Sequence, residues 1–189
     1  MHLLILTDIF GLCKSLDVLV MEIEKQNTIV NIIDPYDKKR HTFATEKEAY
    51  ATFLEACGHD AYLAKTKETL SIMQPTLCIG FSIGASVLWR LSAWEGLRDT
   101  KLLCFYPSQI RYYLDIHPQV QTDVIFPHSE DSFDVHVVSE KIQCHDLVQT
   151  KVTAWSHGFM NRCSVAYNQV AQRWGVDLIA KEIKYGRSP

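Results

Sequence analysis

Short apolar runs of strand length alternate with longer segments of helical periodicity, and this predicts an α/β domain: a three-layer sandwich with a mostly parallel sheet of about six strands. Two further observations agree. The strand candidates are continuously apolar, as in sheets covered on both faces. The 189 residues contain no repeat, low-complexity stretch or linker, so residues 1–189 read as one domain around a single core.

Leu3 to Leu6 is the first strand, followed by the turn Thr7-Asp8-Ile9-Phe10-Gly11. Lys14 to Gln26 is a helix, with Leu16, Leu19, Val20 and Ile23 at helical spacing. The β-branched run Thr28 to Ile33 is the second strand, ended by Asp34-Pro35. Thr45 caps a helix through Ala56, with Glu48 completing the capping pattern. Gly58 stops it, and His59 to Met73 forms another. The third strand is Thr76 to Gly80 and leads into a helix from Ile83 to Trp94. Leu102 to Tyr106 and Asp123 to Phe126 are the fourth and fifth strands. An acidic loop and a helix around Val135 to Ile142 come next. Lys151 to Trp155 is the sixth strand, and a closing helix runs from about Cys163 to Trp174 or beyond.

The composition excludes several classes. A net charge of -3 with interspersed signs leaves no footprint for nucleic acid. Lys181, Lys184 and Arg187 fit a last helical turn and a tail. No run approaches the roughly 20 apolar residues that span a bilayer, and His2 to Leu6 is too short for a signal-peptide core. Six cysteines (Cys13, Cys57, Cys78, Cys104, Cys144, Cys163) lack metal-like pairing and read as free thiols of a cytoplasmic protein. His117, His128, Asp131, Asp134, His136, His145 and Asp146 cluster in sequence without a metal-ligand spacing, so neither metal nor cofactor is expected.

Ligand sites of such sheets lie off the carboxyl ends of the strands. After the third strand stands Gly80-Phe81-Ser82-Ile83-Gly84, a G-x-S-x-G between strand and helix. A serine on a sharp strand-to-helix turn projects its hydroxyl outward, and glycines let helix and strand approach. The alternative is a helix cap between packing glycines. After the last strand comes Ser156-His157-Gly158-Phe159, placing His157 as the base that a serine nucleophile needs. The acid is sought in Glu130-Asp131-Ser132-Phe133-Asp134, after the fifth strand. Asp131 is the first choice, with Asp134 and Glu130 behind it, because both of these also suit a helix's first turn.

Four motifs together resemble the dienelactone hydrolase branch of the α/β-hydrolases: Asp8-Ile9-Phe10-Gly11, the Ser82 pentapeptide, the Glu130-Asp131-Ser132-Phe133 loop and His157-Gly158-Phe159. The resemblance implies an α/β-hydrolase fold, a Ser82–Asp131–His157 triad and an oxyanion hole from the backbone amides of Ile9 and Ile83. It also makes Asp8, Phe10, Tyr106 and Arg162 candidates for substrate contact, with Tyr112 and Tyr113 as further candidate pocket aromatics. Ser82 stands where the family's type enzyme has cysteine, and Asp8 replaces its glutamate. No arginine lies in the run before the elbow to bind a substrate carboxylate, which argues against dienelactone itself. The implied activity is hydrolysis of a small-molecule acyl ester or thioester; the alternative is a hydrolase fold retained as a binding module. Against the family pattern, the first strands are expected to be missing and no large lid is expected. The exposed edge this leaves is open to pairing with a second copy.

Overall fold

The computed structural model describes residues 1–24 and 28–185. Its sheet holds six strands: β1 (His2–Leu6), β2 (Ile29–Ile33), β3 (Leu77–Phe81), β4 (Lys101–Phe105), β5 (Thr122–Phe126) and β6 (Val148–Val152). All pairs are parallel, in the order β2-β1-β3-β4-β5-β6. The helices are α1 (Lys14–Glu24), α2 (Glu46–Ala56), α3 (Gly58–Ile72), α4 (Ile83–Leu91), α5 (Val135–Gln143) and α6 (Gln169–Tyr185).

The central strands are apolar throughout because each feeds two cores. Leu4, Leu6, Cys78, Leu102, Cys104, Val124 and Phe126 face a layer containing residues of α3, α4 and α5. Leu3, Ile5, Leu77, Ile79, Leu103, Phe105 and Ile125 face α1 and α6. Right-handed crossovers explain the division: β1 to β2 steps one way across the sheet, whereas β2 to β3 and all later steps go the other way. The order therefore reverses at β1, and the crevice for a ligand lies between the segments following β1 and β3.

The six-stranded parallel sheet is the one expected, with most boundaries displaced by one residue. The end of the first expected helix, beyond Glu24, and Arg187 lie outside the described residues. α2 begins as expected: Thr45 Oγ1 accepts from Glu48 N, and Glu48 Oε2 accepts from Ala44 N. Three boundaries need larger correction. The last strand is Val148–Val152 rather than Lys151 to Trp155, because an edge strand is covered incompletely and its burial alternates. The apolar Ala154 and Trp155 lie beyond its end. α4 stops at Leu91 rather than Trp94. The closing helix starts at Gln169 rather than Cys163, because Asn161, Ser164 and Asn168 side chains bind nearby backbone N–H groups and favour turns.

Between β4 and β5 the helical structure is one 3-10 segment, Ser108–Tyr112, with no large lid. β2 is an edge strand. The bonds Ile29 N to Met1 O and Thr7 N to Ile33 O set the ladder to β1, so the backbone groups of Val30 and Ile32 face away from it. No helix among the described residues is long and apolar enough to cross a membrane.

Candidate active site

Ser82 sits between β3 and α4 with φ 51 and ψ -110, a conformation non-glycine residues rarely adopt. The flanking glycines are steric requirements. A Cβ on Gly80 would stand 2.6 Å from Ala85 Cα, and one on Gly84 would stand 2.6 Å from Leu6 O and 2.7 Å from Thr7 O. The start of α4 can thus abut the end of β1. The Ser82 side chain makes no capping bond; its Oγ lies 2.9 Å from His157 Nε2. The helix-cap alternative is therefore not what the structure adopts.

Backbone bonds beyond the ends of β5 and β6 bring their loops together: Thr153 N donates to Phe126 O, and His128 N to Trp155 O. His157 Nδ1 then lies 2.7 Å from Glu130 Oε1, with the carboxylate side chain 11% exposed and the imidazole 33%. An ionised carboxylate only accepts, so Nδ1 carries the proton and Nε2 is free to accept from the Ser82 hydroxyl. The carboxylate that meets His157 is Glu130 and not the expected Asp131. Asp131 is exposed, and Asp134 caps α5 by accepting from His136 N and Val137 N. Glu130 pairs through its backbone with Phe133.

The turn after β1 and the start of α4 frame the serine. Ile83 is the first residue of α4, so its N–H has no intrahelical carbonyl to bind. Ile9 lies two residues beyond Thr7, whose carbonyl packs against Gly84. Tyr36 Oη donates to Ile9 O at 2.6 Å and fixes the turn from below.

Of the four expected substrate contacts, three are buried and Arg162 is exposed. Asp8 is 6% exposed and Phe10 is in the core beside α1. Tyr106 is 1% exposed, with its ring 5.0 Å from that of His157, and supports the imidazole by packing. Arg162 is exposed and its guanidinium lies over Tyr167. Tyr112 is exposed, and Tyr113 lies under the Arg90 guanidinium. Among the described residues no three His, Cys, Asp or Glu side chains gather as a metal site.

Asp8 turns inward. Its Oδ1 accepts from Phe10 N at 3.0 Å and its Oδ2 from Asn161 Nδ2 at 2.8 Å. Burial raises its carboxyl to about 6; the hydrogen bonds from Asn161 and Phe10 and the attraction of His157 oppose the rise, and Glu46 adds to it. Because the folded value exceeds the unfolded one, the folded protein holds this proton between the two. Stability from Asp8 is therefore greatest at low pH and falls as pH rises from 3.8 through about 6. The full change is about 3 kcal/mol. Urea unfolding of wild type and Asp8→Asn across this range should show their stability difference moving by that order in the variant's favour. A pH-independent difference would contradict the assignment.

Sequence reasoning missed Asn161, Ser15 and Glu46, which hold the loop after His157. Ser15 Oγ accepts from Arg162 N, and Glu46 Oε1 accepts from Ser164 Oγ and Val165 N. The one available signal was the spacing of Asn161, Ser164 and Asn168, turn-forming types, through this segment.

No family model matches the chain. The Bacillus subtilis protein YczH is 30% identical over 138 residues, covering 68% of this chain; the chain spans 65% of that relative's length. Three solved structures are similar over 97% of this chain. A Klebsiella pneumoniae structure described as a dienelactone hydrolase has TM-score 0.71 and 12% identity, with 86% of its chain covered. A dienelactone hydrolase-like promiscuous phosphotriesterase from metagenomic libraries has TM-score 0.68 and 11% identity, with 85% covered. A Xanthomonas campestris hydrolase of the alpha/beta superfamily has TM-score 0.66 and 11% identity, with 98% covered. The chain has the α/β-hydrolase fold, and the likeness to dienelactone hydrolase-like structures holds at the level of that fold.

Proposed function

We propose that this chain of α/β-hydrolase fold is a serine hydrolase of the cytoplasm, cleaving a small ester or thioester by acyl transfer through Ser82. The observation that carries the reading is the continuous line Ser82 Oγ, His157 Nε2, His157 Nδ1 and Glu130 Oε1, with separations of 2.9 and 2.7 Å at its two hydrogen bonds. Burying a strained serine elbow against a carboxylate-held imidazole serves no packing need.

In the first step the Ser82 hydroxyl attacks the substrate carbonyl carbon while His157 Nε2 takes its proton. The carbonyl π pair moves to oxygen, and the Ile9 and Ile83 amides stabilise that oxyanion. Glu130 stabilises the imidazolium. As the tetrahedral intermediate collapses, the bond to the alcohol or thiol breaks and His157 returns the proton to the leaving atom. Water repeats the sequence on the acyl-enzyme, releasing the carboxylic acid and restoring Ser82.

The absence of a large lid between β4 and β5 supports a small acyl group, for which no long apolar channel is needed. A fluorophosphonate should form a covalent adduct on Ser82, located by mass spectrometry. Nitrophenyl esters from acetate to laurate should fall in kcat/KM with chain length. No adduct on the folded protein would favour a binding module, and a maximum at laurate would overturn the small-acyl assignment.

A further inference from the structure

We propose that Asp8 and Asn161 form an internal tie that positions the His157 loop against the oxyanion turn. Both are then positioning residues of the acyl-transfer site, and the inference rests on the serine hydrolase reading above.

The tie is a chain of hydrogen bonds joining segments 153 residues apart in sequence. On the turn side, Asp8 Oδ1 accepts from Phe10 N at 3.0 Å. Across the gap, Asn161 Nδ2 donates to Asp8 Oδ2 at 2.8 Å. On the loop side, Asn161 N donates to Gly158 O at 3.0 Å, next to His157. Asn161 Oδ1 accepts from Cys163 N at 2.9 Å, and Cys13 Sγ lies 3.7 Å away. Each end of the Asn161 amide therefore has an assigned role, and a rotated amide would put a donor against Cys163 N–H. Gln172 Nε2 donates to Met160 O and Asn168 N to Phe159 O, which holds this stretch against the start of α6; Ser15 on Arg162 and Glu46 on Ser164 and Val165 act farther from the imidazole along the chain. Among these bonds the Asp8–Asn161 pair is the one that reaches the turn after β1.

Phe159 and Met160 pack into the core beside α6, but space remains next to the tie itself. A cavity of about 20 Å³ lies beside the tie, lined by Thr7, Asp8, Ser15, Tyr106 and Asn161 among others. Among the described residues the Tyr106 hydroxyl has no hydrogen-bond partner there. That volume suits one water molecule, and it gives a released Asn161 side chain room to move. The ionisable groups facing Asp8 are His157, Glu46, Cys13, Cys163, Tyr36, Tyr62 and Tyr106. Its direct partners are an amide side chain and a backbone N–H, so hydrogen-bond direction rather than ion pairing defines the tie.

That definition permits a swap. Asp8→Asn should set two amide NH₂ groups against each other, or turn Asn161 away from Cys163. Asn161→Asp should set two carboxylates together. The double substitution keeps the net charge and restores one donor facing one acceptor, with a side-chain oxygen still available to Phe10 N and to Cys163 N. Hydrolysis of nitrophenyl acetate and amide hydrogen exchange of residues 157–164 are measured on all four proteins. Each single substitution should lower kcat/KM by about 10- to 100-fold, the scale of a misplaced catalytic group, and speed exchange in the loop. The double variant should recover most of both losses.

The tie is overturned if Asp8→Asn leaves both readouts unchanged, or if the double variant is no better than the worse single. Should Asp8→Asn not fold, Asn161→Ala removes the same bond from the loop side and carries the same expectation. If wild type neither hydrolyses the ester nor labels at Ser82, the hydrolase reading has failed, and the exchange pattern alone decides the tie.

Discussion

Ser82→Ala should lower ester turnover by about 10⁵- to 10⁶-fold, the loss typical when a serine nucleophile is removed from a working triad. The residual rate would come from substrate binding and the amides that surround the developing oxyanion, neither of which needs the hydroxyl. The substitution should leave the fold intact. Ser82 Oγ makes no capping bond to α4, and its described partner is His157. The unusual φ of 51 is a property of the backbone elbow, and alanine meets the same restriction there as serine. A thermal melt monitored by circular dichroism should change by only a few degrees. Turnover within tenfold of wild type in that folded variant would remove Ser82 as nucleophile.

The elbow was legible because its constraints are local. Gly80 and Gly84 must be small for β3, α4 and the end of β1 to meet, and Ser82 must occupy the strained position between them. Pentapeptide and strand–turn–helix context therefore identify each other. The layered sheet was legible for a related reason: a strand buried on both faces cannot hide its apolar run. β6 escaped because an edge strand need not be apolar on both faces. The stretch 163–168 was expected to be helix and forms turns instead, because its path depends on Ser15 and Glu46, supplied by α1 and α2.

Three carboxylates within five residues of loop offer no local basis for choosing the one that reaches His157. The loop's path decides it: Glu130, paired through its backbone with Phe133, reaches His157, Asp134 caps α5, and Asp131 is exposed. Asp8 illustrates the same limit. Its place in the turn suggested substrate contact, while its partner Asn161 comes from the far end of the chain. Local strain and burial can be read from sequence, whereas the path of a polar loop requires the tertiary contacts that hold it.

Glu130→Gln and Asp131→Asn should therefore separate sharply. Glu130→Gln keeps the shape of the side chain and removes the charge that favours imidazolium. If the glutamine offers its oxygen to His157 Nδ1, the tautomer survives but the charged intermediate loses its partner. If it offers its NH₂, Nδ1 must accept, the proton moves to Nε2, and the base is blocked. A loss of roughly 10²- to 10⁴-fold in kcat is expected, the upper end being the wrong-tautomer case. Asp131 is exposed, so Asp131→Asn should change kcat less than about twofold, as for a screened surface charge. Asp134→Asn tests the neighbouring role: asparagine caps nearly as well as aspartate, so both activity and stability should stay close to wild type. Glu130→Asp should fall between, because the shorter side chain cannot keep the 2.7 Å contact unless the loop moves. A severe loss in Asp131→Asn with a mild one in Glu130→Gln would make Asp131 the acid after all. The loop of residues 127–134 would then have to rearrange around substrate, breaking the Glu130–Phe133 bridge to bring Asp131 onto His157.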